Sequence, residues 1–182
     1  MTLKRKPATP ARKADWDNSS RIDVIIETPK GSRNKIKYDP ATQQFKLSKV
    51  MPEGMMFPYD FGFVPLTKAD DGDPLDVLVL TDEPLFPGCL VECSLIGVPK
   101  AEQKEERHTN RNDRLIAVAN QSLLYSGTKT LKDLNPKILQ QVEEFFVNYQ
   151  KVCGIEVRIL GHAGSREALK ILTGATDIKK AA

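Results

Sequence analysis

Cysteine, histidine and long apolar runs are all scarce in this chain of 182 residues, and each scarcity removes a class of protein. Cys89, Cys93 and Cys153 form no Cys-x-x-Cys pair, and His108 and His162 match no zinc spacing, so a structural zinc site is not expected. An odd, low cysteine count suits a reducing compartment, and Cys89 and Cys93 read as buried thiols in an apolar stretch. No run approaches the roughly 18 consecutive apolar residues of a membrane-spanning helix. The opening MTLKRKPATPARK lacks the apolar middle of a secretory leader, so a soluble, cytoplasmic protein without a membrane partner is expected. Neither GxxxxGK[ST] nor GxGxxG is present, which leaves P-loop and Rossmann enzymes unsupported. Basic excess is also missing from most of the chain. The formal charge is +3, but Lys4, Arg5, Lys6, Arg12 and Lys13 crowd into the first thirteen residues, and setting them aside leaves 22 basic against 24 acidic groups. A nucleic-acid-binding surface is therefore not expected, although the basic start could touch phosphates.

What is there suffices for one core: 40% of the residues are hydrophobic and 28% charged, and two large domains are excluded by length. Residues 1–19 mix Pro, Ala, Lys, Asn and Ser without period and read as a mobile basic arm, leaving 20–182 as a single domain. RIDVIIETP, KIKYDP, QFKLSKV, FGFVPL, LDVLVLT, CLVECSLIGV, RLIAVAN and IEVRILGH read as strands, with ATQQ as a hairpin connection. Many short strands without alternating helices favour a closed or partly closed antiparallel barrel. Two helices interrupt them. In NPKILQQVEEFFVNYQKVCG, Asn135 caps, Pro136 suits the first helical position, Gly154 terminates, and Ile138, Val142, Phe145, Phe146 and Tyr149 share a face. SREALKILTG is the second, from Ser165 to just before Gly174. The polar run AEQKEERHTNRND reads as an exposed loop.

The segment DDGDPLD sets Asp70, Asp71, Asp73 and Asp76 within seven residues, just before a buried strand. Asp, Gly and Pro are ordinary turn formers, so a solvated turn is one reading. The other is a divalent-metal site. Gly72 permits a sharp bend and Pro74 keeps Asp73 out of helix, so the carboxylates can converge, and carboxylate oxygens are the ligands hard cations such as magnesium prefer. A phosphate substrate would also need cations, for which Lys30, Arg33, Lys35, Lys49 and Arg114 are candidates. Taken singly, each reads as a solvated surface charge.

Taken in order, IETPKGSRNK, KYDPAT, FPYDFGFVPLTKADDGDPLDVLVL, PGCLVECSLIGV, RLIAV and FFVNYQK resemble the family I soluble inorganic pyrophosphatases, from about Ile22 to His162. The resemblance implies a mainly β (α+β) fold, a five-stranded OB-type barrel with flanking helices. It also implies hydrolysis of pyrophosphate dependent on Mg2+, or Mn2+ in its place, and a homo-oligomer, commonly a hexamer in bacteria. By the same resemblance Asp71 and Asp76 match metal-binding aspartates and Asp73 the aspartate that helps activate the attacking water, itself counted among the metal residues. Glu27 matches an acidic site residue, and Lys35 and Tyr149 match phosphate contacts.

Eight positions depart from the family's pattern. Phe57 and Phe61 replace two tyrosines, Lys37 an acid, Lys49 the phosphate-binding arginine, Arg114 a lysine, Asn112 and Gln103 aspartates, and Gln150 a lysine. Lys49 and Arg114 stay in the substrate-binding set because they keep a cation. Glu102, Glu105 and Asp113 are neighbouring carboxylates that could replace lost metal ligands, and Asp113 is the one placed in the metal set. Fewer or weaker metal sites follow from losing acids and gaining Lys37. Hydrolysis should then be slower than in the family at large, or directed to another phosphate. The competing readings are a hydrolase of triphosphate or nucleotides on the same scaffold and a non-catalytic phosphate-ligand-binding protein.

Overall fold

The computed structural model describes residues 20–69, 72–105 and 108–175. The basic arm and Asp70 and Asp71 lie outside the described residues. The strands are β1 (Arg21–Thr28), β2 (Asn34–Asp39), β3 (Gln44–Val50), β4 (Asp60–Phe63), β5 (Asp76–Leu80), β6 (Leu90–Glu105), β7 (His108–Arg111), β8 (Leu115–Ala119) and β9 (Glu156–Gly164). Two helices, α1 (Pro136–Val152) and α2 (Ser165–Ala175), flank β9 in sequence.

Strand pairing runs β1–β4–β5–β8–β6 and returns from β6 to β1, so five strands close on themselves, as the OB-type expectation requires. One pair departs from the antiparallel expectation: β5 and β8 run parallel, Val77 opposite Leu115 through Leu80 opposite Val118. The chain between them crosses through β6 and β7, which is the longer connection that a parallel pair demands.

β5 (DVLVL) and β8 (LIAVA) are apolar almost throughout because both faces are covered. Successive side chains alternate faces. Val77, Val79, Leu115 and Ala117 join a cluster with Val24, Ile26 and Leu172 of α2. Leu78, Leu80, Ile116 and Val118 join a second with Phe57, Phe61 and the Val142, Phe146 and Tyr149 face of α1. Asn135 Oδ1 accepts from Lys137 N at 3.0 Å, and Pro136 occupies the first turn, so α1 begins as its cap predicts.

The polar run after Ala101 is not a loop. β6 continues to Glu105 and turns back as β7, with Glu102 opposite Arg111 and Glu105 opposite His108, while β9 pairs along the other edge of the same stretch. An extension exposed to solvent needs no apolar alternation, so the pattern used to find strands is silent there. α2 also runs one residue past Gly174.

β2 and β3 form a separate two-stranded sheet docked on the end of β1. Thr28 Oγ1 donates to Ile36 O at 2.9 Å and accepts from Ile36 N at 3.0 Å, and Tyr38 packs between Phe45 and Phe63.

Gly62 sits where β1 and β4 approach most tightly. A Cβ there would lie 2.1 Å from Ile25 O, a backbone atom that cannot rotate aside. Gly62→Ala is therefore expected to destabilise the protein by roughly 2 kcal/mol or more, read as a lower urea midpoint with unchanged slope. An unchanged midpoint would show that the strands part without cost.

Candidate active site

The acidic turn is fastened at its neck. Thr67 Oγ1 donates to Val64 O at 2.6 Å and accepts from Leu75 N at 2.9 Å, while Gly72 N donates to Ala69 O and Ala69 N to Asp73 O. Gly72 has φ +90°, a conformation its missing Cβ permits, so the bend occurs at the glycine. The turn delivers Asp73 and Asp76 beside the hairpin. Lys37 Nζ of β2 lies 2.5 Å from Asp73 Oδ2, joining residues 36 apart in sequence. Asp76 Oδ2 lies 3.8 Å from Arg114 Nε, and the buried Arg114 guanidinium stacks over Phe146 at 4.3 Å.

Glu27, at the end of β1, is 4% exposed and accepts from Tyr38 N at 2.6 Å. Burial pushes its carboxyl up to about 7. The Tyr38 hydrogen bond opposes this, Asp76 adds to it, and Lys37 and Lys35 partly offset it. Lys37 shows the reverse balance: burial works against the ammonium, but Asp73, Asp76 and Glu27 outweigh it and hold its pKa above the ordinary lysine range.

Lys35 and Lys49 face each other across one rung of the hairpin. Like charges directly opposite are unfavourable. Both ammonium groups lie over the Tyr149 ring, at 5.3 and 5.4 Å, and Lys49 Nζ contacts Cys153 Sγ at 3.3 Å. Among the described residues neither forms a carboxylate ion pair within 4.0 Å. The pair can thus receive an anion.

Phe57 and Phe61 are 1% and 2% exposed and pack with Phe145, Phe146 and Tyr149. A hydroxyl on either ring would need a partner inside this wall, so its absence suits the site as built. The neutral replacements also belong together. Gln103 Oε1 accepts from Asn112 Nδ2 at 2.6 Å and from Gln150 Nε2 at 3.4 Å, so three altered positions satisfy one another.

Asp113 lines one cavity with Asp76: Arg111 Nη2 donates to both its oxygens, at 2.7 and 2.8 Å, and Ala101 N to Oδ1 at 3.0 Å. Glu102 pairs with Arg158 at 3.6 Å. The Glu105 side chain and Asp71 lie outside what is described. Among the described residues no three His, Cys, Asp or Glu side chains stand close enough together to hold a metal ion. The donors present, Asp73, Asp76 and Glu27, are nevertheless hard carboxylates. Glu27 and Asp76 act on each other's charge from β1 and β5, and carboxylate oxygens are the ligands a hard divalent cation takes. Two residues escape sequence reasoning. Asp60 is fully buried and accepts from Lys30 N, Thr81 Oγ1 and Leu85 N, and Cys153 reaches Lys49 across 104 positions, for which no local signal exists.

The profile of the inorganic pyrophosphatase family matches residues 24–179. The chain belongs to the inorganic pyrophosphatase family. An inorganic pyrophosphatase of Nostoc sp. is 37% identical over 161 residues, covering 88% of this chain and 89% of that one. One from Methanosarcina acetivorans is 36% identical over 152 residues, covering 84% and 88%. The crystal structure of the inorganic pyrophosphatase from Thermus thermophilus superposes with a TM-score of 0.81 at 31% identity, covering 91% of this chain and 92% of that one. Family membership makes the protein a hydrolase, and the matched span contains the turn, the hairpin and α1. Among the described residues no helix is long and apolar enough to cross a membrane.

Proposed function

We propose that this protein hydrolyses inorganic pyrophosphate to two phosphates, with Mg2+, or Mn2+ in its place. What supports it is that Lys35, Lys37 and Asp76 all act on Glu27, which brings the hairpin lysines, Lys35 and Lys49 over Tyr149 among them, to the acidic turn. Asp71, Asp73 and Asp76 are the metal residues of this reading. Asp113, which lines one cavity with Asp76, stays a candidate fourth carboxylate, its oxygens accepting from Arg111 and the backbone of β6. When bound, a divalent ion supplies polarisation of phosphoryl oxygens and acidifies water at its open positions. Lys35, Lys49 and Arg114 hold phosphoryl oxygens, Tyr149 positions the two lysines, and Asp73 accepts the proton of the attacking water. The new P–O bond forms as the bridging P–O bond breaks, and the second phosphate leaves with the bridging oxygen.

Two observations favour slow turnover. Lys49 has no planar fork to grip phosphate, and the Gln103, Asn112 and Gln150 amides carry no charge toward metal or substrate. Exposed Phe86, Leu123 and Leu124 give apolar surface for a homo-oligomer, a hexamer by resemblance, in the cytoplasm. The test is phosphate release from pyrophosphate, triphosphate and nucleoside polyphosphates with each metal. We expect release from pyrophosphate at least about tenfold slower than by the Nostoc relative. Release only from triphosphate or nucleotides would favour the altered-substrate reading, and none from any of them the binding-protein reading.

A further inference from the structure

Of the three hairpin lysines, Lys35 and Lys49 rest on Tyr149, whereas Lys37 reaches into the acids. Its Nζ lies against Asp73 Oδ2, and Asp76 and Glu27 act on it from β5 and β1. Among the described residues the cations around this group include Lys37 and Lys35 from β2, Arg114 just before β8, and Lys68 and Arg111, which line one cavity with Asp76. A divalent ion approaching Asp73 meets an ammonium that holds one carboxylate oxygen and repels like charge. The ion pair with Asp73 holds that ammonium, so an ion binding at the same oxygen must first displace it.

We propose that the Lys37 ammonium is a tethered cation of this site, taking at Asp73 a place that a divalent ion would otherwise fill. The chain then binds one fewer divalent ion than its carboxylates would hold without Lys37. An ammonium neutralises charge and donates hydrogen bonds to phosphate oxygens, but it has no open coordination position and cannot acidify water. Lys37 therefore replaces an ion whose task is charge neutralisation, not one that acts on water. The inference rests on the metal-dependent reading above.

The test is calorimetric titration of the full chain with manganese(II) chloride, without substrate. Lys37→Gln is expected to bind one more ion per chain than the wild type, or the same number about tenfold more tightly, allowing for the half-exposure of the pair. Lys37→Arg, which keeps the charge, should retain the wild-type count. Equal counts and affinities within twofold for wild type and Lys37→Gln overturn the proposal. A second measurement needs no variant: in protein labelled at the lysine nitrogen, the Lys37 ammonium signal should persist through saturation with magnesium, and its displacement at the first equivalent also overturns the proposal. Neither readout uses turnover. A wild type inactive toward pyrophosphate, but gaining an ion in Lys37→Gln, would sink the functional reading and leave this one standing.

Discussion

Asp73→Asn is expected to lower magnesium-dependent pyrophosphate turnover by about 100- to 10,000-fold while leaving the fold intact. An amide keeps the shape of the side chain but cannot take a proton from water. The substitution also breaks the Lys37 ion pair, whose partners are about half exposed, and such pairs contribute at most about 1 kcal/mol. Melting temperature should therefore hardly move while the rate collapses. The two losses are separable, because Lys37→Gln breaks the same pair and keeps the carboxylate. A rate in Lys37→Gln as low as in Asp73→Asn would assign the effect to the pair, and full turnover in Asp73→Asn would remove Asp73 from the chemistry.

Glu27→Gln is expected to stabilise the apoprotein by about 3 kcal/mol at about pH 8. Native Glu27 titrates at about 7 against an ordinary 4.5, so its folded pKa is raised. A raised carboxyl favours folding fully below the unfolded pKa, and that contribution is lost as pH rises through the native one. The wild type should therefore weaken from about pH 4.5 to just above 7, while the glutamine variant, which still offers an oxygen to Tyr38 N, should not. The gap should narrow when magnesium is added, because a nearby cation favours the ionised acid. Urea denaturation at several pH values measures this, and parallel curves for the two proteins would show that Glu27 ionises without penalty. Turnover in the variant should fall if the carboxylate is needed in the site, which would make the instability a cost of function.

Much of this was legible in the residues, for physical reasons that differ by element. The period-two alternation of KIKYDP and QFKLSKV marks the hairpin although the side chains of β3 are largely exposed, and the Asn135–Pro136 start marks α1 because caps act locally. The β6–β7 extension is illegible because its strands are joined by backbone bonds and its side chains are polar throughout, so no apolar alternation marks it. Within the site, Asp73 and Asp76 stood out by local density, and the changes at Lys37, Asn112 and Gln150 by resemblance. That Lys37 would grip Asp73, and that the Asn112 and Gln150 amides would share Gln103 Oε1, depends on elements brought together from apart in the chain, which no window of sequence reports.

The separateness of the β2–β3 sheet bears on the order in which the protein assembles. Its rungs join residues at most sixteen positions apart, from Asn34 opposite Val50 inward, whereas the β1–β6 seam joins Arg21 to Ser94. Short loops close early and long ones late, so the hairpin can form while the ring is still open. The lysines and the acids then meet only when a preformed hairpin lands on the finished end of β1, through Thr28, Glu27 and Tyr38. The reactive centre thus needs both the hairpin and the ring, and anything that binds there favours the chain in which the two are joined over forms in which they are apart.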